Sequence, residues 1–165
     1  MGVALVLAIS AVPVTADATH SAGGGPNKDF VAGTGDVTFG PIPATLHVNA
    51  DDTPAGDGSL GRFHARLGLP TGEVTVHGDT TCLAVVSGDE ARAGGVVTES
   101  STPLVPPGTN VLGRFIDHGE SNVNDAPDSG TGQFAPPGGA QLCAQFTQPT
   151  STVTRGEFVV HQATP

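Results

Sequence analysis

Thr45-Leu46-His47-Val48-Asn49, Arg62-Phe63-His64-Ala65-Arg66-Leu67 and Glu73-Val74-Thr75-Val76-His77 are three short runs in which apolar and polar residues alternate. Period-two patterning gives each run one buried and one wet face, as half-buried antiparallel strands require. Folded as a meander, symmetric pairing across the Asp51–Ser59 connection sets Val48 against Phe63 and Leu46 against Ala65. Pairing across Pro70-Thr71 sets Leu67 against Val74 and Ala65 against Val76. All the apolar partners then share one face. That agreement fixes the register, because a one-residue slip would turn every side chain to the other face.

Outward from this centre the pattern repeats. Further β-type runs are expected over Val37–Phe39, Cys82–Ser87, Ala91–Thr98, Val111–Asp117, Gln141–Phe146 and Thr152–His161, separated by Gly and Pro. The central runs are delimited as Thr45–Asn49, Arg62–Leu69 and Glu73–His77. Helical periodicity never persists for a dozen residues, so no substantial helix is predicted. The expected fold is all-β, a small antiparallel barrel or barrel-like sandwich of about eight to nine short strands. Asp117–Ala140, rich in Gly, Pro, Asp and Asn, is read as the largest loop. The seven Phe fall mostly on or beside strands and are read as core.

The chain has 165 residues, enough for one domain with an ordinary core. Its 24 Gly and 14 Pro suit a turn-rich β architecture. A net charge of −10 argues against nucleic acid and anionic membrane as partners. The absence of Trp and Tyr removes the usual stacking platforms for sugars and bases.

Val3–Val14 is apolar except for Ser10, and Ala16-Asp17-Ala18 forms a small-residue cleavage pattern before Thr19. Residues 1–18 are read as a signal peptide, truncated at its start because no Lys or Arg precedes the apolar run. The run is too short to span a bilayer, which needs ~20 residues. Residues 19–29 form a flexible lead-in and 30–165 a single β domain. The expected product is secreted and monomeric, with no membrane span. Cys82 and Cys143 are the only cysteines, and an even count in an exported chain favours a disulfide. Two independent buried thiols are the competing reading. A cross-link over 61 positions corresponds to ~4 kcal/mol of chain entropy as an upper figure.

Three patterns carry chemistry. The meander places His47 beside His64 and His64 beside His77 on the outward face. Cross-strand Cβ atoms lie ~4.5–5.5 Å apart, close enough for imidazoles to share zinc or to form a proton-sensitive row. Against the metal stand the flanking Arg62 and Arg66 and the lack of a carboxylate partner, which favour plain solvent-facing positions. The loop Asp51–Ser59 offers Asp51, Asp52 and Asp57 to a cation such as calcium, although its spacing matches no calcium loop and a solvated turn explains it. The loop from Asp117 adds His118, Glu120, Asp125 and Asp128, whose carboxylates either cap a strand end or hold calcium weakly. No cofactor is otherwise expected. Gly58-Ser59-Leu60-Gly61 follows Asp57 rather than Gly, and Gly56-x-Gly58-x-x-Gly61 precedes a strand, so neither a nucleophile elbow nor a dinucleotide loop is supported.

Thr81-Cys82-Leu83-Ala84-Val85 with Gly88, Ala91 and Gly94-Gly95-Val96-Val97 resembles a pattern in secreted β-domain proteins of high-GC Gram-positive bacteria. Asp117-His118-Gly119-Glu120 with Pro127-Asp128, then Cys143 and Gly156-Glu157-Phe158-Val159-Val160, extend the resemblance over about residues 33–162. The chain departs from it at His118, where Asn is usual, and at Asp89-Glu90. The resemblance implies export and a compact β domain. It implies no activity, so no functional residue is carried over. Together these readings lean away from an enzyme. They favour a non-catalytic exported module that contacts an envelope component or another protein through its loops. The alternative is a barrel binding a small apolar ligand in its lumen, with or without turnover. A packed lumen favours the first, and a cavity of a few hundred cubic ångströms with convergent polar groups the second.

Overall fold

The computed structural model describes residues 27–53, 59–119 and 126–163. The predicted signal peptide and most of the lead-in lie outside them. Nine strands are present among the described residues: β1 (Phe30–Phe39), β2 (Ile42–Asp51), β3 (Gly61–Leu69), β4 (Gly72–Ser87), β5 (Glu90–Ser100), β6 (Asn110–Ile116), β7 (Ser129–Ala135), β8 (Ser151–Thr152) and β9 (Gly156–His161). Strands β1 to β7 pair in sequence order, each antiparallel to the next. Six antiparallel steps, an even number, leave the first and last strands running the same way. The seam that closes the barrel is accordingly parallel, with Thr38 beside Thr131 and Phe39 beside Gly132.

That seam is two residue pairs long. Beyond it β1 and β7 diverge, and the C-terminal strands occupy the gap: β9 pairs with β1 from Phe30–His161 to Gly35–Gly156, and β8 pairs with the start of β7. The all-β barrel expected from the sequence is therefore present, with seven strands closed and two added. The central register is also as read. Val48 faces Phe63, Leu46 faces Ala65, Leu67 faces Val74 and Ala65 faces Val76.

Four assignments are corrected. Glu73–His77 and Cys82–Ser87 are parts of one long strand, β4, which bends through register shifts at His77/Gly78, Thr80/Cys82 and Val85/Ser87. Bulges of this kind let one strand serve both ends of a curved wall. The expected loop Asp117–Ala140 contains β7, whose Ser-Gly-Thr-Gly-Gln-Phe-Ala sequence lacks apolar alternation. Gln141–Phe146 is not a strand but most of a 3-10 helix, Gly139–Gln145, burying Ala140, Cys143 and Phe146. That spacing of three matches the 3-10 turn. Thr152–His161 divides into β8 and β9 because the two halves pair with different strands on either side of the gap.

Glycine and phenylalanine fill the barrel together. A Cβ on Gly132 would lie 2.5 Å from the Phe39 ring, and one on Gly78 or Gly95 would lie 2.2 Å or 2.7 Å from the Phe63 ring. Gly35 and Gly130 likewise face the Phe158 ring, which packs edge-on against Phe115 at 4.9 Å. Each ring occupies the volume that a neighbouring strand leaves empty. Val, Leu and Ala side chains from β1 to β6 complete the core.

The 3-10 helix covers the outside of β4–β6. Cys143 is bonded to Cys82, with 6.0 Å between their Cα atoms, and packs with Leu112 and Phe146. Glu90 accepts from Arg92 Nε at 2.8 Å and from both Nε and Nη2 of Arg114 at 2.9 and 2.8 Å. The same arginines donate onward to the carbonyls of Ala144 and Gln148, fastening the helix and the segment after it to the wall. The Arg114 bonds, aided by Arg92, hold the Glu90 carboxyl at about 2 despite burial that pushes it up.

Candidate functional site

The outer surface of β1–β5 carries the imidazole row where the sequence placed it. His47 faces His64, and His64 faces His77. The same row continues to Thr34 and Glu157 on one side and to Glu99 on the other. Along β3, every second residue points outward, so Arg62, His64 and Arg66 form a line crossing the row at His64. With ~3.3 Å per residue and ~4.8 Å between strands, the cross measures about 13 Å by about 10 Å.

The rings of His64 and His77 stack, with centroids 4.2 Å apart and planes 3° from parallel. Thr34 Oγ1 bonds His47 Nδ1. His64 Nε2 is buried and has no hydrogen-bond partner. Burial pushes the His64 imidazole below the ordinary histidine value, and the positive fields of His77, Arg66 and His47 push it the same way, against Glu73. Arg62 is 82% exposed and approaches Asp79 only to 4.0 Å. Open grooves flank the row. One of about 630 Å³ runs past Asn49, Arg62, His77 and Glu99, and one of about 280 Å³ past Thr34, Thr45 and Arg66.

This arrangement does not form the zinc site considered for His47, His64 and His77. A metal binds imidazole nitrogen in the ring plane, and two parallel stacked planes share no such point at ~2.1 Å. Among the described residues, no three His, Cys, Asp or Glu side chains converge to hold a metal.

The acidic residues suggested for cation binding are engaged otherwise. Asp51 accepts from the Thr53 amide at 2.8 Å and lies 3.9 Å from Lys28. Asp52 is exposed beside Thr53. Asp117 accepts from the amides of Gly119 at 2.7 Å and Val160 at 3.0 Å. Asp128, only 4% exposed, accepts from His118 N at 3.0 Å and Phe158 N at 2.7 Å. Phe158 and Val160 are alternate residues of β9, so the two carboxylates satisfy amides on the edge turned away from β1. Asp117 and Asp128 are thus engaged by backbone amides along the edge of β9, within the strand and not at its end. His118 itself is exposed. Asp57, Glu120 and Asp125 lie outside the described residues.

The lumen contains a cavity of about 40 Å³, lined by Phe39, Phe63, Phe115, Val76 and Thr80 among others. That volume admits about a water or two, whereas ligand pockets run to ~300–1,000 Å³. Sequence reasoning missed the Glu90–Arg92–Arg114 cluster, because its residues look like ordinary solvent-facing strand positions until the 3-10 helix covers them. Among the described residues, no helix is long and apolar enough to cross a membrane. No known protein family, curated protein or solved structure matches the chain.

Proposed function

We propose that this chain is an exported, non-catalytic β-barrel module that contacts an envelope component or another protein through its loops. The filled lumen carries the reading. Phe rings seated over lumen-facing glycines leave about 40 Å³, so the barrel serves as a rigid support and not as a container. Its loops supply contact surface. Between β5 and β6, Leu104 stands 73% exposed, while its neighbour Val105 is buried in the core. The backbone beneath is fixed by the bond from Gly108 N to the Val97 carbonyl at 2.8 Å and by the Thr109 hydroxyl on the Pro106 carbonyl at 2.6 Å. An apolar side chain on an ordered loop is the kind of anchor that interfaces use.

Export accounts for the disulfide, since such bonds persist in oxidising compartments. The apolar run before Ala18 and the resemblance to secreted β-domain proteins of high-GC Gram-positive bacteria agree with it. Intact-mass measurement of the culture-medium product tests the reading, under native and denaturing conditions, with and without reductant and alkylation. The expected species begins after Ala18, gains two alkyl groups only after reduction, and carries no bound small molecule. Full-length protein inside cells with alkylatable thiols, or a retained apolar ligand in the native spectrum, would overturn it.

A further inference from the structure

We propose that the outer face centred on His64 binds a small oxyanion carrying two or three phosphoryl groups, taking up protons on its imidazoles as it does so. The face lies on the sheet away from the loops, and its role stands apart from theirs.

Basic side chains are scarce in this protein and their distribution is uneven. Of six Lys and Arg, Arg92 and Arg114 are bound to Glu90, Lys28 is close to Asp51 and Arg155 lies 3.8 Å from Asp36. Arg62 and Arg66 are the two that project side by side from one strand, with three of the six histidines beside them. Arg62 touches Asp79 only at 4.0 Å, and Arg66 is exposed. Donors thus surround His64 on four sides: guanidiniums along β3, imidazoles across it.

The charged state is what makes this a site. With neutral imidazoles, the two charges of Arg62 and Arg66 are outnumbered by Glu73, Asp79 and Glu99, which face the row from β4 and β5. Glu157 closes the other end of the row, Asp36 on β1 accepts from the Thr45 hydroxyl beside it, and Thr34 and Thr45 are neutral. Protonation adds up to three charges at the centre of this rim. Stacked rings 4.2 Å apart repel once both are charged, and His77, the exposed member, can swing outward. That movement uncovers His64 Nε2, a buried nitrogen with no partner, whose proton then needs an acceptor.

The geometry also selects the ligand. A phosphoryl group offers three acceptor oxygens in a tetrahedral spread, which serves donors converging from several directions better than a planar carboxylate does. The cross spans about 13 Å by about 10 Å with Asp79 at one corner beside Arg62, room for a short chain of phosphates toward Arg66. A long polyanion would meet that rim and the repulsion of a protein with net charge −10.

Calorimetric titration of the folded domain with sodium tripolyphosphate, at about pH 5.5 and about pH 7.5, tests this on both sides of the ordinary imidazole value. Binding about tenfold or more tighter at the lower pH is expected, with proton uptake seen as a dependence of the heat on buffer ionisation enthalpy. Inorganic phosphate and citrate should bind more weakly. R62Q/R66Q, at exposed positions, and H64Q should each weaken tripolyphosphate binding about tenfold or more while calorimetry shows an intact thermal transition. Should H64Q fail to fold, R62Q/R66Q decides alone. Absence of binding, equal affinity at both pH values, equal affinity for citrate, or full binding by R62Q/R66Q would overturn the assignment.

Discussion

The residue that best explains this molecule's composition is Phe63, whose ring lies over both Gly78 and Gly95. A run of strands with glycine at lumen positions reads from sequence as interrupted structure, because glycine is normally a turn former. Here it is a packing residue, and the partner ring sits on a different strand. Gly132 gives the cleanest case, since the nearest atoms to its missing Cβ all belong to the Phe39 ring. Gly132→Ala is expected to cost about 1–3 kcal/mol through overpacking. Phe39→Leu in the same chain should recover part of that loss, so a double-mutant cycle in urea gives a favourable coupling. Additive costs would show that the ring does not occupy the glycine's space. At Glu90 the prediction concerns charge. Its carboxyl is held at about 2 against a reference of 4.5, so it contributes stability that is complete above about pH 4.5 and is lost as pH falls through 2. Glu90→Gln should destabilise by roughly 1–3 kcal/mol near neutrality, and the gap from wild type should close toward pH 2. A gap unchanged with pH would assign the loss to packing. His64 has the same sign at a higher pH: its depressed folded value makes stability fall as pH drops below the ordinary imidazole value.

Among the elements, legibility followed local pattern. The meander β2–β3–β4 was readable to the residue, and with it the imidazole row, because alternation and register reinforce one another over three neighbouring strands. β7 was not, since its lumen positions are Gly130 and Gly132 and its apolar complement comes from Phe158 and Phe39. The 3-10 helix was misread for a related reason. Its buried residues recur every third position, but over so few residues that a strand fits as well. Strand β9 is more instructive. As the last strand of an open edge it would expose unpaired amides, a known aggregation hazard. Asp117 and Asp128 block that edge by accepting from Val160 and Phe158. Asp128→Ala should leave the buried Phe158 amide and the part-buried His118 amide without their acceptor, costing about 1–3 kcal/mol. Hydrogen exchange at Phe158 and Val160 should accelerate while that of β3 and β4 changes little. Uniform acceleration across the barrel would mean that β9 does not open as a separate unit.

For the whole molecule, the question is what the disulfide holds. Cys82 lies in the barrel wall, whereas Cys143 sits on a helix packed outside it. The seven-strand closure, the Phe–Gly core and the β1–β9 pairing all form without crossing that link. Reduction therefore frees the unfolded chain of a 61-residue constraint without removing any lumen contact. The entropic estimate is ~4 kcal/mol at most, and ~3–5 °C per kcal/mol for a domain of this size puts the fall in Tm at ~12–20 °C at most. The helix is also fastened by the Glu90–Arg92–Arg114 cluster and by Ala140 N on Asn110 Oδ1 at 3.2 Å. It should loosen before the barrel does. Differential scanning calorimetry of the reduced, alkylated protein should show a single lower transition, with amide exchange first raised in residues 139–146. With no Trp or Tyr to report on tertiary structure, those two measurements carry the test. If reduction abolished the transition altogether, the barrel would depend on the cross-link, and closure of the seven strands would not be sufficient to keep it folded.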